Sequence, residues 1–416
     1  MKSTISRLQR NIDSITKYLT PLLPITNCHM VEFFTLNHWE NLLPSTLRKK
    51  LDGVELNDVL EKFWNEASVV HYGLIPHRIE GRPVQTMSRL VASLHSACAS
   101  TCCVEAGGGR GHLPVALSLG YNVPSLTVDC DENTYSRKYK KSIIWLLTFV
   151  FVIQSMTLPG FEHKGLEPWD PLYKYRATTY CSNWVFHCPL LGLHTCGNLG
   201  PDSLRIFATQ PSTAAVFNVP CCYHHLTENV DVGFMDVFQK EYGDGQEMGQ
   251  GFPMSEHLRG YNLGRNARML AAQSIDRVVS ERAVPSRSLL YRALLQVVIK
   301  KHLPNYKISE GKLKRITHKC HSFEQYFRMA DAILNLDLFD SLPASVFTDI
   351  NENIDCQWNK LVIFYLLRLC LAQVVESLIL LDRLMFLFEN GFDKVYLVKL
   401  FDPVLSKHFS IIKNGY

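Results

Sequence analysis

The sequence lacks several features that would place it in a common class of protein. Its 416 residues carry a formal net charge of only +4, which does not by itself indicate a nucleic-acid or membrane partner. The 13 cysteines are odd in number, and no two of them stand in a C-x-x-C spacing. A disulfide-bonded scaffold and a C-x-x-C zinc site are therefore not indicated, and a reducing compartment is expected.

A signal-peptide core and a long uncharged apolar run are also missing. The apolar run Ile143 to Ile153 has 11 residues, well short of the ~20 that span a bilayer. The run Leu361 to Leu381 is long enough, but it contains Arg368 and Glu376, and each charge would cost about 2.5–3.5 kcal/mol in the bilayer. We therefore expect a buried helix there, a soluble protein without a membrane partner, and a cytoplasmic or nuclear location rather than secretion.

The glycine-rich stretch Val104 to Leu113 is the most informative part of the sequence. It follows a short apolar run and precedes a helix-compatible segment, which is typical of a strand, a turn and a helix in an α/β sheet. A nicotinamide fingerprint, G-x-G-x-x-G, does not fit, because its third glycine would fall at His112 or Pro114. The spacing that fits is an acid followed by three alternate glycines, namely Glu105, Gly107, Gly109 and Gly111.

This spacing resembles that of class I S-adenosylmethionine methyltransferases. Ser125 to Val128 reads as the next strand, and Asp129 follows about 20 residues after the glycine turn, where an acid can accept hydrogen bonds from both ribose hydroxyls. We predict that S-adenosylmethionine contacts Glu105, the three alternate glycines, His112 and Asp129. The alternative is an ordinary strand-to-helix turn that binds nothing.

Two further strands are predicted, and each ends in a polar cluster. Leu190 to Leu193 runs into His194 to Asn198, and Ala214 to Val219 is followed by Cys221 to His225. Because the carboxyl ends of parallel strands meet at one edge of a sheet, we expect both clusters to lie beside the glycine turn. The residues predicted to line the acceptor side are His194, Cys196, Asn198 and Tyr223.

The cysteines in these clusters raise the question of a metal. Adjacent residues of an extended chain point to opposite sides, so Cys221 and Cys222 are expected to be poor joint ligands. Small, reduced, buried cysteines that shape a pocket are the commoner case. We therefore predict that no metal is bound.

The rest of the sequence predicts helices and a closing pair of strands. Helical spacing occurs before residue 80, from Gly264 to Val279 and from Leu289 to Val298, whereas Val395 to Leu400 and Phe409 to Ile412 are β-like. Residues 142–189 contain no recognisable third strand. Either their apolar run is a buried strand or helix, or the block is partly a gene-model artefact such as retained intron sequence, and we favour the artefact.

Two basic stretches are candidate contacts for RNA. Residues 137–141 contain four basic side chains, and residues 300–319 contain seven Lys or Arg against one acid. The alternative for both stretches is an ordinary solvated surface.

Seven separated blocks together resemble the methyltransferase-like protein 25 family, whose relatives include proteins labelled ribosomal RNA adenine dimethylase domain-containing. The blocks occur in the family's order and are Glu105 to Leu113, Leu191 to Leu199, Cys221 to His224, Gly251 to Met254, Gly264 to Met269, Glu376 to Leu384 and Val398 to Val404. The His-x-Cys-Gly and Cys-Cys pair also looks like that of a tRNA ribose methyltransferase family. The chain departs from its relatives at Asn198, at Pro220 and at residues 78–85.

The resemblance implies an α/β, Rossmann-like class I methyltransferase sheet. We predict a helical N-terminal region at 1–80, a methyltransferase core at 81–254, a helical insertion at 255–390 and closing strands at 391–416. It also implies an S-adenosylmethionine-dependent enzyme, but the family supplies no acceptor; RNA is slightly favoured from the basic stretches. The alternative is a catalytically degenerate scaffold that only binds S-adenosylmethionine.

Overall fold

The computed structural model describes residues 2–66, 83–97, 102–108, 112–128, 188–228, 251–306, 308, 313, 316, 320–399 and 409–413. Several predictions lie outside these residues. They concern Gly109, Gly111, Asp129, the basic cluster 137–141, residues 142–187 and most of the basic stretch after residue 306.

Helices form most of the described chain outside the sheet. They are α1 (Lys2–Leu19), α2 (Leu23–Asn27), α3 (His38–Leu42), α4 (Ser45–Leu51), α5 (Leu56–Glu66), α6 (Pro83–Ala97), α7 (His112–Tyr121), α8 (Leu199–Thr209), α9 (Arg265–Ala271), α10 (Ile275–Ser280), α11 (Arg287–His302), α12 (Phe323–Leu334) and α13 (Ser345–Glu389). Helices α10, α11 and α12 each follow a serine whose side chain accepts a backbone N–H of the first turn. Such caps satisfy donors that the helix itself leaves unpaired.

The described strands form one sheet. They are β1 (Cys103–Ala106), β2 (Ser125–Val128), β3 (Cys188–Thr195), β4 (Thr213–Pro220), β5 (Val395–Lys399) and β6 (Phe409–Lys413). Their order is β2-β1-β3-β4-β6-β5; the first four are parallel, and β6 pairs antiparallel with both β4 and β5. This confirms the predicted α/β, Rossmann-like fold, including its antiparallel closing strands.

Burial explains why the parallel strands read as apolar runs. Parallel strands are covered on both faces, so successive residues are buried instead of alternating. In β3, for example, seven of the eight residues are buried and only His194 is exposed. The core beside the sheet combines residues of β1, β3 and β4 with helices α6 and α7: Met87, Val91, Cys103, Leu113, Leu117, Val123, Leu191, Leu193, Ala215, Phe217 and Val219.

The chain divides into two compact units. The first comprises Met1–Tyr18, His71–Ala272 and Val375–Tyr416 and contains the sheet; the second comprises Leu19–Val70 and Gln273–Val374 and is helical where it is described. The four segments predicted from the sequence do not coincide with these units. The reason is that contacts group segments that are far apart in the sequence, which a linear division cannot represent.

Two expectations about individual elements need correction. The helix predicted from Gly264 to Val279 is two helices, because the chain leaves the helical path after Ala271 and Ser274 caps a new helix by accepting from Arg277 N at 3.3 Å. The sequence shows no strand within residues 142–189, but Cys188 and Pro189 at the end of this block begin β3, and the described sheet is continuous from β2 to β5.

The long apolar run belongs to α13, and its charged residues are buried. By length and composition alone α13 could cross a membrane, but 72% of its most apolar 18-residue window is buried inside the protein. Arg368, Glu376, Asp382 and Arg383 are at most 6% exposed. Each has hydrogen-bond partners in its own unit; Arg368, for instance, donates to the carbonyls of Ile25 and Thr26 at 3.0 Å. A buried helix is what the sequence predicted here.

Candidate cofactor and acceptor site

The glycine turn connects β1 to α7 at the carboxyl edge of the sheet. Gly107 has a φ of +71°, a backbone conformation that side chains disfavour. A Cβ at Gly107 would lie 2.6 Å from Leu199 Cδ2 and 3.7 Å from the carbonyl oxygen of His194. The turn therefore packs directly against the end of β3, and glycine is required there on both conformational and steric grounds.

A carboxylate and a hydroxyl lie together beside this turn. Glu105 and Thr127 face each other in the register of β1 and β2, and they are only 4% and 8% exposed. A Cβ at Gly108 would overlap both the Glu105 carboxylate and the Thr127 hydroxyl, so Gly108 leaves these polar groups the space they occupy. Thr127 Oγ1 is buried and has no hydrogen-bond partner among the described residues. Buried hydroxyls usually have a partner, and a bound ligand can supply one at this position.

The other predicted cofactor contacts are only partly described. His112 is the first residue of α7 and is exposed, so it is available to a ligand at the helix start. Gly109, Gly111 and Asp129 lie outside the described residues, and their roles stay predictions.

The ends of β3 and β4 meet as the sequence predicted. Thr195 pairs with Pro220, and the chain then leaves both strands side by side. Gly197, with a φ of +54°, donates its N–H to the Cys222 carbonyl at 3.3 Å. The structure thus brings both polar clusters to the same edge as the glycine turn.

Three thiols converge between these two loops. Cys196 Sγ lies 2.9 Å from Cys221 Sγ, and Cys221 Sγ lies 3.6 Å from Cys222 Sγ. The expectation that Cys221 and Cys222 point apart was wrong. It assumed an extended chain, but β4 ends at Pro220 and the backbone turns at Cys222 (φ −94°, ψ 70°) into the 3-10 turn Tyr223–His225.

Contacts between the thiols give the three cysteines different pKa values. The hydrogen bond between Cys196 and Cys221, assisted by Cys222, lowers the pKa of Cys196 to about 6 against the effect of burial. The same hydrogen bond, together with burial, raises the pKa of Cys221. Burial is also the main cause of the raised pKa of Cys222. Cys196 is therefore the thiolate of the group near neutral pH.

His194 lies on the exposed side of β3 next to these thiols. Desolvation of the covered part of its ring lowers its pKa, so the imidazole is neutral at pH 7. A neutral imidazole with an accessible face can accept a proton.

Asn198 connects two loops instead of facing an open edge. Its Nδ2 donates to Thr227 Oγ1 at 2.9 Å, and its Oδ1 accepts from Thr227 N at 2.9 Å. Gly251 N also donates to Thr227 Oγ1, so the amide lies within a compact set of loop contacts. The side-chain N–H of Asn198 donates one of these hydrogen bonds. An ionised carboxylate at position 198 could not donate it.

Tyr223 is buried and has an internal partner. Its hydroxyl donates to Glu376 Oε1 at 2.9 Å, and the residue is 2% exposed. Burial and the Glu376 carboxylate raise the pKa of Tyr223. Its phenol therefore remains protonated and anchors the loop after β4 to α13.

A second layer of charged residues supports these loops, and sequence reasoning did not single it out. Glu228 accepts from the backbone N–H groups of Leu263 and Gly264 at 2.9 Å and forms an ion pair with Arg268 at 3.1 Å. Arg268 in turn donates to the Tyr223 carbonyl at 3.0 Å. The available signal was the Gly-Arg-Asn-Ala-Arg block, whose second arginine is this residue.

Asp382 fixes the Gly-Phe-Pro-Met loop in a similar way. Its carboxylate accepts from Met254 N at 2.7 Å, Ser255 N at 2.9 Å and Ser255 Oγ at 2.6 Å. Burial nevertheless raises its pKa to about 6, although these donors and Arg383 oppose the shift. Buried polar groups of α13 therefore fix the loops of the site through hydrogen bonds.

Part of the chain is similar in sequence to known methyltransferase proteins. Residues 80–229 match the model of a family described as a methyltransferase domain. The chain is 41% identical over 224 residues to a probable methyltransferase-like protein 25 of Mus musculus and 39% identical over 223 residues to that of Homo sapiens. These similarities confirm the predicted resemblance to the methyltransferase-like protein 25 family.

The matches cover only part of this chain and only part of each relative. Each covers 53% of this chain but only 36% and 35% of the two relatives, so the chain spans about a third of the length of the curated relatives it matches. No solved structure matches the chain.

Proposed function

Because this chain carries a methyltransferase domain related to that of methyltransferase-like protein 25, we propose that it is an S-adenosylmethionine-dependent methyltransferase. The observation that carries the proposal is the group formed by Glu105, Thr127 and Gly107. It places a buried carboxylate and a buried hydroxyl at a left-handed glycine turn, on the carboxyl edge of a parallel sheet. Ligands of such sheets bind at that edge.

The residues at the turn fit this cofactor. A carboxylate and a hydroxyl suit the hydroxyls and ammonium group of S-adenosylmethionine, and glycines without a Cβ let flat groups approach the backbone. Glu105, Thr127, Gly107 and the start of α7 at His112 would hold it, together with the sequence-predicted Gly109, Gly111 and Asp129. When bound, S-adenosylmethionine supplies a methyl group on a positively charged sulfur, which a nucleophilic acceptor can displace.

On the acceptor side, we propose different roles for the four predicted residues. His194 and Cys196 are accessible, and either the neutral imidazole or the thiolate can take a proton from an acceptor. Asn198 and Tyr223 act by position, because their polar groups hold Thr227 and Glu376. Methyl transfer gains mainly from alignment and exclusion of water, so such positioning matters for rate.

The test is a binding and turnover panel on the reduced chain. S-adenosylmethionine binding is measured by calorimetry, and transfer of a labelled methyl group is measured on fractionated cell RNA and protein. Binding with turnover on one fraction supports the proposal. Binding without turnover on any fraction favours the scaffold. The hydrogen-bonded amide of Asn198, a position where the chain departs from its relatives, would also suit a scaffold.

RNA is the acceptor class that we favour within this proposal. Support comes from the basic residues at 137–141 and 300–319. If these residues contact phosphates, RNA affinity should fall steeply as salt is raised, because counterions are released on binding. A filter-binding titration that finds no RNA affinity even at low salt would instead favour a protein or small-molecule acceptor.

A further inference from the structure

The three thiols at the ends of β3 and β4 form a cluster, and the proposed methyl transfer gives no role to two of them, Cys221 and Cys222. The sulfur atoms of Cys196, Cys221 and Cys222 all lie within 4.8 Å of one another. They come from two separate loops and converge on one point. Within the described part of the chain, no other group of three or more His, Cys, Asp or Glu ligand atoms is arranged in this way.

The backbone holds the two loops in this arrangement. Gly197 N donates to the Cys222 carbonyl at 3.3 Å, and Tyr223 N donates to the Cys221 carbonyl at 3.2 Å. A Cβ at Gly197 would lie 2.8 Å from the carbonyl oxygen of His225, so only glycine permits this close approach. The convergence of the thiols is therefore a consequence of the loop packing and not of freely rotating surface side chains.

The distances between the three sulfur atoms suit coordination of a metal ion better than formation of a disulfide. In a tetrahedral zinc site the Zn–S distance is ~2.3 Å, which places the sulfur atoms about 3.8 Å apart. The Cys196–Cys221 and Cys221–Cys222 separations of 2.9 Å and 3.6 Å are both shorter than that value, and the third pair of sulfur atoms lies within 4.8 Å. Small rotations of the thiols would complete the geometry, whereas a disulfide would use two thiols and leave the third unexplained.

The donor set indicates the class of ion. Three sulfur donors without a carboxylate select soft or borderline ions and reject Mg²⁺ and Ca²⁺, which prefer oxygen. Cys196 is exposed, whereas Cys221 and Cys222 are half-buried, so a fourth ligand can approach from the side of Cys196. Catalytic zinc sites characteristically keep such an open position.

We propose that Cys196, Cys221 and Cys222 bind one Zn²⁺ ion, with the fourth position open to water or to an exogenous ligand. On binding, each coordinating cysteine that is still protonated releases its proton to solvent, and no electron is transferred. The ion joins the loop after β3 to the loop after β4. This inference replaces the expectation of no metal and does not depend on the proposed methyl transfer.

Cobalt titration of the full chain tests the site. The protein is reduced, freed of metal under anaerobic conditions and titrated with Co²⁺, whose bonds to thiolates give a near-ultraviolet charge-transfer band. We expect a band that saturates at one ion per chain and is displaced by Zn²⁺. Cys196→Ser, Cys221→Ser and Cys222→Ser should each weaken Zn²⁺ binding by ~100-fold or more, since each removes a direct ligand.

The matched control is Cys102→Ser. Cys102 Sγ also lies 2.9 Å from another thiol, that of Cys188, but among the described residues no third ligand group joins this pair. The control should bind the metal normally, and circular dichroism checks that every variant is folded. Absence of the band, full retention of it in Cys222→Ser, or equal loss in Cys102→Ser would overturn the proposal.

Discussion

Thr127 is the residue whose surroundings best distinguish a ligand site from an ordinary turn. Its hydroxyl is buried, opposite Glu105 and against Gly108, and has no partner among the residues that the structure describes. A buried hydroxyl left unpaired costs about 1–3 kcal/mol of stability. A ligand that accepts from or donates to this hydroxyl would remove that cost.

Replacing Thr127 with the isosteric valine should therefore have opposite effects on folding and binding. Without ligand, Thr127→Val should be as stable as the wild type or up to about 2 kcal/mol more stable, because an unpaired hydroxyl is removed. Its affinity for S-adenosylmethionine should fall roughly 5- to 30-fold through loss of one hydrogen bond. Thermal unfolding and calorimetry measure the two quantities. A destabilised variant with unchanged affinity would show that the hydroxyl serves the fold.

Asp382 gives a prediction on the pH dependence of stability. Burial raises its folded-state pKa from 3.8 to about 6, so the folded protein binds this proton more tightly than the unfolded chain. The resulting stabilisation is complete below the unfolded pKa and is lost as the pH rises through about 6. The full difference is on the order of 3 kcal/mol.

Unfolding of the wild type and of Asp382→Asn, compared from about pH 4 to pH 7, measures this effect. The stability of the wild type relative to the variant should fall as the pH rises, because the asparagine does not titrate. Ser255→Ala removes a donor that favours the ionised carboxylate and should move the fall to higher pH. A relative stability that increases with pH would mean that the three donors outweigh burial.

At the scale of elements, the β1–α7 turn is defined by its glycines. Gly107 has a φ of +71° and a Cβ there would meet Leu199 at 2.6 Å. Gly107→Ala should therefore destabilise the protein by roughly 1–3 kcal/mol. Gly120, inside α7, is the matched control because a Cβ there would meet nothing within 4 Å. Gly120→Ala should stabilise by about 0.5–1 kcal/mol through helix propensity, and urea unfolding compares the two.

Equal effects of the two alanines would contradict this account of the turn. If Gly107→Ala were as harmless as Gly120→Ala, then neither the left-handed backbone nor the contact with Leu199 would constrain the turn. A loss of stability confined to Gly107→Ala is the expected result.

The elements that the sequence predicts well are those defined by local patterns. The strands around Leu191, Phe217 and Tyr396 and the buried helix around Leu361 follow from apolar runs and their length. The glycine turn follows from its spacing. These signals depend on residues close together in the chain, so one sequence contains them.

Features that depend on distant residues were predicted less well. The convergence of Cys196 with Cys221 and Cys222 needed the backbone turn at Cys222, which no local pattern indicated. Tyr223 was assigned to the acceptor side, but its hydroxyl contacts Glu376, which lies 153 residues away. The charged residues of α13 were correctly taken as signs of a buried helix, although their partners, such as Ser255 for Asp382, are set only by the tertiary structure.

At the scale of the whole molecule, the sheet unit contains every described residue of the proposed site. Glu105, Thr127, His194 and Cys196 all belong to the unit that includes His71–Ala272. The stretch of α13 that supports the loops around the site, from Val375 onward, belongs to the same unit. The methyltransferase-domain match at residues 80–229 lies in this unit as well. We therefore propose that the sheet unit binds the cofactor.

Calorimetric titration of S-adenosylmethionine into the reduced full chain is the most direct test of that assignment. The account predicts one binding site per chain, weakened at least ~10-fold by Asp129→Ala through loss of a hydrogen-bonding carboxylate. The exposed Asp393→Ala serves as the control and should bind as the wild type does. No binding by the folded wild type at millimolar S-adenosylmethionine would contradict the central claim, and equal binding by Asp129→Ala would remove Asp129 from the site.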